Sequence, residues 1–464
     1  MSNSMNFTEV EKMEVLPSNQ PNNNIYSFKA GNPIITLEIA PQAKLLKPST
    51  LRINGKLTVR NAGGYIAQNN NIVQAGNGRN GNGGAPAGEV DIKLNSRVGI
   101  NSVWQNVVVA SNATNQTLES VRQYGRMCGT ILAGTHSQDD FISNRGVVAL
   151  NTAIEEVGKN LNNNTVDFSC RLYAGMLMGG NAIPLGVNGV RGLTITLELA
   201  SDQMVLSGGD APDSTGAYYE LSDISLTADL LVPDAEGIQK MSVPGNGSFE
   251  YNSYNNLYSV INASDATQTY NLSNNNVLNV FHNFLPVSWA NNYNQDSFTC
   301  GMLKNTDPTG ASYQSDAILS KVAFSRGGLR LGLDYDLNVA VQSGEGRPET
   351  GVLLNGLNAL KPLYALTKTL NQKQLLGYGG NDLKVYADAD EPVQQVEESS
   401  SGERNFLIGI ALDNVSGVGM SFRGQAYATR IQSNLDGKSP NAVYSYVLSR
   451  NTLVYSPQGI MVQS

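Results

Sequence analysis

The chain has 464 residues, enough for two or three domains, and 41% are hydrophobic, enough to give each domain a core. Only 15% are charged and the formal net charge is −8, against roughly 25% charged residues in ordinary soluble domains. The surface is therefore covered mainly by Asn, Ser, Thr, Gln and Gly, and direct binding to a nucleic-acid backbone is not expected.

Two histidines (His136, His282) and three cysteines (Cys128, Cys170, Cys300) are a poor supply of catalytic or metal-ligating groups. An odd number of widely spaced cysteines makes no disulfide framework, and buried free thiols are the expectation. No stretch of 18 apolar residues predicts a transmembrane helix. The first 24 residues are polar and lack a basic stretch followed by an apolar one, so no secretory signal is expected and they read as a flexible N-terminal arm (residues 1–24).

From Ile25 onward the dominant signal is apolar/polar alternation, the mark of half-buried strands. It appears at Ile35, Leu37 and Ile39, then at Leu51, Ile53, Leu57 and Val59, with Gly55 between them as a candidate bulge. Asn69–Glu89, almost all Asn, Gly and Ala, predicts a long surface loop. Leu118 to Leu132 has helical spacing of Leu118, Val121, Met127 and Ile131. Alternation returns at Val166, Phe168, Cys170 and Leu172, at Leu193–Leu199, and at Ile224–Leu230. Residues 233–247 carry two prolines and three glycines and read as a linker.

Beyond the linker the same organisation recurs. Alternation marks Val322 and Phe324, Phe406–Leu412 and Val443–Val447. Val352–Leu370 has helical spacing interrupted by Pro362, and Asp388–Arg404 is an acidic loop. Halves of nearly equal length with similar strand series suggest internal duplication. One apolar row per strand predicts sheets with one face on a core and the other in water.

Motifs of chemistry are sparse. Gly76-Asn-Gly-Arg-Asn-Gly81 matches G-x-G-x-x-G, but Asn and Gly flank it where a dinucleotide site needs a strand and a helix, so it reads as loop. His136 with Asp139 and Asp140 lacks further ligands, and His282 reads as a hydrogen-bonded strand residue. The adjacent pairs Glu155–Glu156 and Glu397–Glu398 read as solvated charge rather than as a facing catalytic pair. No catalytic, cofactor-binding or metal-binding residue is assigned, no cofactor is expected, and the chain does not read as an enzyme.

Several stretches together resemble the double jelly-roll major capsid proteins, most closely those of Polinton-like viruses and virophages within the adenovirus-type capsid lineage. Val98–Val109 followed by Leu118–Tyr124, Ile183–Leu185 with Gly192–Leu199, and Tyr219–Asp229 resemble the first jelly roll. Ser248–Tyr254 and Phe406–Asp413 resemble the second. The resemblance implies an all-β chain of two consecutive eight-stranded jelly-roll sandwiches (25–232 and 248–464), with long loop insertions and a few short helices. It further implies a structural protein of the virion, assembled inside the host cell as homotrimeric, pseudo-hexagonal capsomers that tile an icosahedral shell, with minor capsid and vertex proteins as partners. The long loops would form the outer crown. The alternative is a secreted or surface β-sandwich carbohydrate-binding protein, which would need exposed aromatic side chains; of the two tryptophans, Trp104 and Trp289, both lie in apolar sequence.

Overall fold

In the computed structural model the described residues are 7–61, 92–94, 98–112, 114–135, 165–178, 181–186, 190–208, 217–242, 247–292, 297–298, 304–306, 313–316, 319–336, 408–412, 418–438, 440–456 and 459–463. His136, Cys300, both glutamate pairs, the G-x-G-x-x-G match, the Val352–Leu370 segment and the loops at 69–89 and 388–404 lie outside them.

Sixteen main strands form four principal sheets, to which the shorter strands Ile25–Tyr26, Ile183–Pro184 and Gly459–Gln463 are added. In the first half these are β1 (Phe7–Val15), β2 (Ile34–Ile39), β3 (Leu45–Asn61), β4 (Trp104–Ser111), β5 (Thr117–Arg122), β6 (Thr165–Cys170), β7 (Leu193–Leu199) and β8 (Ala217–Pro233). In the second they are β9 (Gly247–Ile261), β10 (Asp265–Leu272), β11 (Val277–Pro286), β12 (Leu319–Arg326), β13 (Leu329–Asp336), β14 (Ile408–Ala411), β15 (Gln425–Ser433) and β16 (Asn441–Ser456). The first half pairs them in the orders β1-β8-β3-β6 and β2-β7-β4-β5. The second half repeats both orders eight strands later, as β9-β16-β11-β14 and β10-β15-β12-β13. All of these pairings are antiparallel. Each half is a sandwich of two four-stranded jelly-roll sheets, and the shared order is the duplication that the strand series suggested.

The alternating rows behave as their spacing predicts. Ile35, Leu37 and Ile39, the Leu193–Leu199 row, and Ile224–Leu230 all point into the first core. Gly55 faces a bulge, but the bulge is on β8: Lys56 pairs with Ser222 and Asn54 with Ser225, so Asp223 and Ile224 together oppose Gly55. Asp223 takes a φ of 51° there. A Cβ on Gly55 would lie 2.6 Å from Ile224 Cδ1 and 3.0 Å from the Phe168 ring, so the glycine makes room for the packing over it.

Three expectations change. The 1–24 arm contains β1: Phe7–Val15 pairs along its length with β8 and is the first jelly-roll strand, so the first sandwich begins well before Ile25. Its sequence, FTEVEKMEV, hides this because an edge strand with charges at Glu9, Glu11, Lys12 and Glu14 reads as polar chain. The Leu118–Leu132 helix splits. Thr117–Arg122 is strand β5 on β4, Gln123 turns with φ 53°, and helix α1 runs Tyr124–Thr135. Pairing with the Val107–Val109 run of β4 overrides the local helical spacing. The third change concerns the sheet β9-β16-β11-β14, whose inner strands β11 and β16 are buried on both faces.

Short helices fill connections: α2 (Gly175–Met178), α3 (Asp202–Val205) and, between β8 and β9, α4 (Ala235–Ser242). The 233–247 stretch thus holds a helix of its own. No described helix is long and apolar enough to cross a membrane.

Candidate functional site: the seam between the two sandwiches

Strand β11 (VLNVFHNFLP) is buried along its whole length. Val280 and Phe284 point into the core of the second sandwich. Phe281 and Leu285, each the next residue along, join the cluster that runs on from the first sandwich. Strand β16 does the same, with Val443 and Val447 facing the second core and Tyr444, Tyr446 and Leu448 facing the first half. An antiparallel sheet normally keeps one face wet; this one is the shared wall of two apolar cores. The near-absence of charge in both strands was a readable sign of this, because strands buried on both faces lose the strict polar alternation.

The first sandwich meets this wall through β5, α1 and α2. Tyr251 Oη donates to the Leu118 carbonyl at 2.8 Å, and Tyr446 Oη donates to the Gln123 carbonyl at 3.2 Å. Arg126, 1% exposed, donates through Nη2 to Asn283 Oδ1 at 2.8 Å and through Nη1 to the Ser297 carbonyl. Its guanidinium carbon lies 4.3 Å from the centre of the Tyr444 ring, a cation–π arrangement inside a dry interface.

Glu119, on β5 and 3% exposed, ties three segments together. Its Oε1 accepts N–H bonds from Gly175 at 2.9 Å and Tyr254 at 2.7 Å, and its Oε2 accepts one from Met176 at 2.8 Å. Tyr254 belongs to β9, the edge strand of the wall. The carboxylate therefore satisfies an edge N–H of the second sandwich and two N–H groups at the start of α2 in the first. Asn181 Nδ2 donates to the Glu250 carbonyl further along the same edge at 3.3 Å. Gly175 lets α2 approach: a Cβ there would lie 2.7 Å from the Asn252 carbonyl oxygen. Burial pushes the Glu119 carboxyl up to about 7, against the three N–H bonds that lower it.

His282 lies inside the second core, as a hydrogen-bonded strand residue. Its Nδ1 pairs with Ser445 Oγ at 2.6 Å and its Nε2 with Tyr427 Oη at 2.9 Å, and the Phe324 and Tyr427 rings are each centred 6.0 Å from it. Burial lowers its pKa to about 3, so the ring is neutral. Cys128 and Cys170 are free, buried thiols; burial raises both, Cys170 to about 12, which makes them inert. Trp104 and Trp289 are buried, so neither offers a surface platform for a sugar ring. Among the described residues no group of three or more His, Cys, Asp or Glu side chains could hold a metal ion.

Two jelly rolls with one strand order, fused through a common wall, define the double jelly-roll fold of viral major capsid proteins. Solved structures of that fold align over essentially the whole chain. A chain of the PBCV-1 virus capsid matches with TM-score 0.59 and 11% identity, covering 100% of this chain and 98% of that one. The Faustovirus major capsid protein matches with TM-score 0.56 and 10% identity, over 98% and 92%. A chain of the Sputnik virophage structure matches with TM-score 0.51 and 9% identity, over 98% and 88%. No family model matches the sequence, and no curated protein matches it.

Proposed function

We propose that this chain is a viral major capsid protein that assembles as homotrimers, each a six-lobed, pseudo-hexagonal tile of an icosahedral shell. The observation that carries this reading is the fused seam. Two like sandwiches held at one fixed relation are two-sixths of a ring, and three chains in a closed rotation complete it. A six-lobed tile packs a plane edge to edge, so one kind of chain can form flat facets. The work of such a protein is geometric. The buried seam keeps the two lobes from moving relative to each other, and the weakly charged, amide-rich surface allows close packing of copies.

In this reading the chain has no reaction of its own, resides in the virion, and contacts copies of itself and minor capsid or vertex proteins rather than the genome directly. The sequence expectation for the 69–89 and 388–404 loops, an outer crown, belongs to the same proposal. Light scattering on the purified chain tests the tile. A particle of three 49.6 kDa chains is expected, and a monomer at all accessible concentrations would remove the reading. Electron microscopy of assemblies then distinguishes hexagonal tiles from unrelated trimers.

A further inference from the structure

Edge strands are templates for pairing, and folded proteins usually guard them with charge, brevity or cover. Most edges in this molecule follow that rule. Strand β1 carries Glu9, Glu11, Lys12 and Glu14; β6 carries Asp167; β10 starts at Asp265; β13 carries Arg330, Asp334 and Asp336; and β9 is covered by the first sandwich through Glu119 and Asn181. Strand β14 is uncharged but spans four residues, and Gly409 and Ile410 in it are buried.

The strand Gly459–Gln463, sequence GIMVQ, differs. It pairs with Thr452–Ser456 of β16 on one edge and, among the described residues, with nothing on the other. It has no charge and no proline, and it alternates: Val462 packs against the core while Met461 is 53% exposed. Alongside it runs an open groove of about 770 Å³, lined by Asn271, Asn275, Arg423 and Gln425 as well as by Met461 and Gln463. Side-chain amides flanking an unpaired strand edge offer hydrogen bonds to an incoming backbone.

We infer that Gly459–Gln463 is a β-augmentation edge whose occupant is the same strand of a second copy, paired antiparallel across a two-fold axis. The second copy is the fitting partner because the segment is compatible with itself. A two-fold axis makes two identical strands antiparallel, an uncharged strand meets its own copy without like-charge repulsion, and the exposed Met461 side chains would come together at the axis. Such a contact is isologous and so differs from the ring closure of the trimer. It would join one capsomer to the next, and to that extent it rests on the proposed function.

The test uses the full chain with Met461→Cys, and with Leu329→Cys as a control at a more accessible position (77% exposed). Under mild oxidation Met461→Cys is expected to give a disulfide-linked dimer on a non-reducing gel, because residues opposite each other at the centre of an antiparallel pair lie within bridging distance; Leu329→Cys is expected to stay unlinked. Met461→Lys, which brings two ammonium groups to the axis, is expected to keep the melting temperature and the capsomer mass of the unmodified chain but to lose association between capsomers. No cross-link at position 461 beyond the control would overturn the inference, as would Met461→Lys associating like the unmodified chain; either result would also be expected if the edge receives a strand of another protein. Capsomer mass is read separately, so failure to form trimers counts against the tile, whereas the cross-link reports on the strand edge alone.

Discussion

Glu119 shows how one buried side chain can hold two domains in place. Three backbone N–H groups converge on its carboxylate from α2 and β9, and each loses its acceptor if the side chain is truncated. An unsatisfied buried donor costs about 1–3 kcal/mol, so Glu119→Ala is expected to destabilise the chain by about 3 kcal/mol or more, measured by denaturant unfolding. The pH dependence has a definite sign. Folding raises this carboxyl to about 7 from an unfolded value of about 4.3, so its contribution is fully present below about pH 4.3 and is lost as the pH rises through about 7. Replacing it by Gln should remove that component from the curve of melting temperature against pH, and an unchanged curve would contradict the assignment. His282 acts in the opposite sense. Its folded pKa of about 3 lies below an unfolded value of about 6.5, so its contribution is present above pH 6.5 and is lost as the pH falls toward 3. His282→Gln should flatten the acid limb of the same curve.

Among the elements, α2 and β9 make the tightest approach across the seam. Gly175 leaves no space for a side chain, since a Cβ would sit 2.7 Å from the Asn252 carbonyl oxygen and 3.0 Å from Ser253 Cα. Backbone on both sides cannot rotate away as a side chain would. Gly175→Ala should therefore lower stability by about 1–3 kcal/mol, read as a shift of the unfolding midpoint with an unchanged slope. Strand β5 carries a related lesson. Leu118 and Val121, three residues apart, stand at helical spacing, and pairing with the Val-rich neighbour β4 makes the segment a strand all the same. Strand β1 was hidden for the complementary reason: its charges protect an open edge, and the partner that makes it a strand, β8, lies more than 200 residues away in the sequence.

For the whole molecule, the apolar cluster that begins in the first sandwich runs without a break onto the outer face of the second. The halves are alike in strand order but not in independence. The second half alone would expose Phe281, Leu285, Tyr444, Tyr446 and Leu448, a patch of the kind that drives aggregation. Residues 248–464 expressed alone should bind the dye ANS strongly and associate non-specifically, while the full chain should unfold in one cooperative transition. Two separate calorimetric transitions for the full chain would show that the seam does not couple the halves.

By itself the sequence determined the all-β class, the division into two sandwiches of jelly-roll length, the inward rows of most strands and the place of His282 as a hydrogen-bonded strand residue. These follow from period-two alternation, which is local: a strand with one buried face announces it within a few residues. Only the tertiary structure decided where the first sandwich begins, that β5 is a strand, and that β11 and β16 face two cores at once. It alone brought Glu119, Gly175 and Tyr254 together from three separate parts of the chain. Such features depend on which distant segment lies opposite, and a pairing partner or a shared wall leaves only a weak trace in the composition of either side.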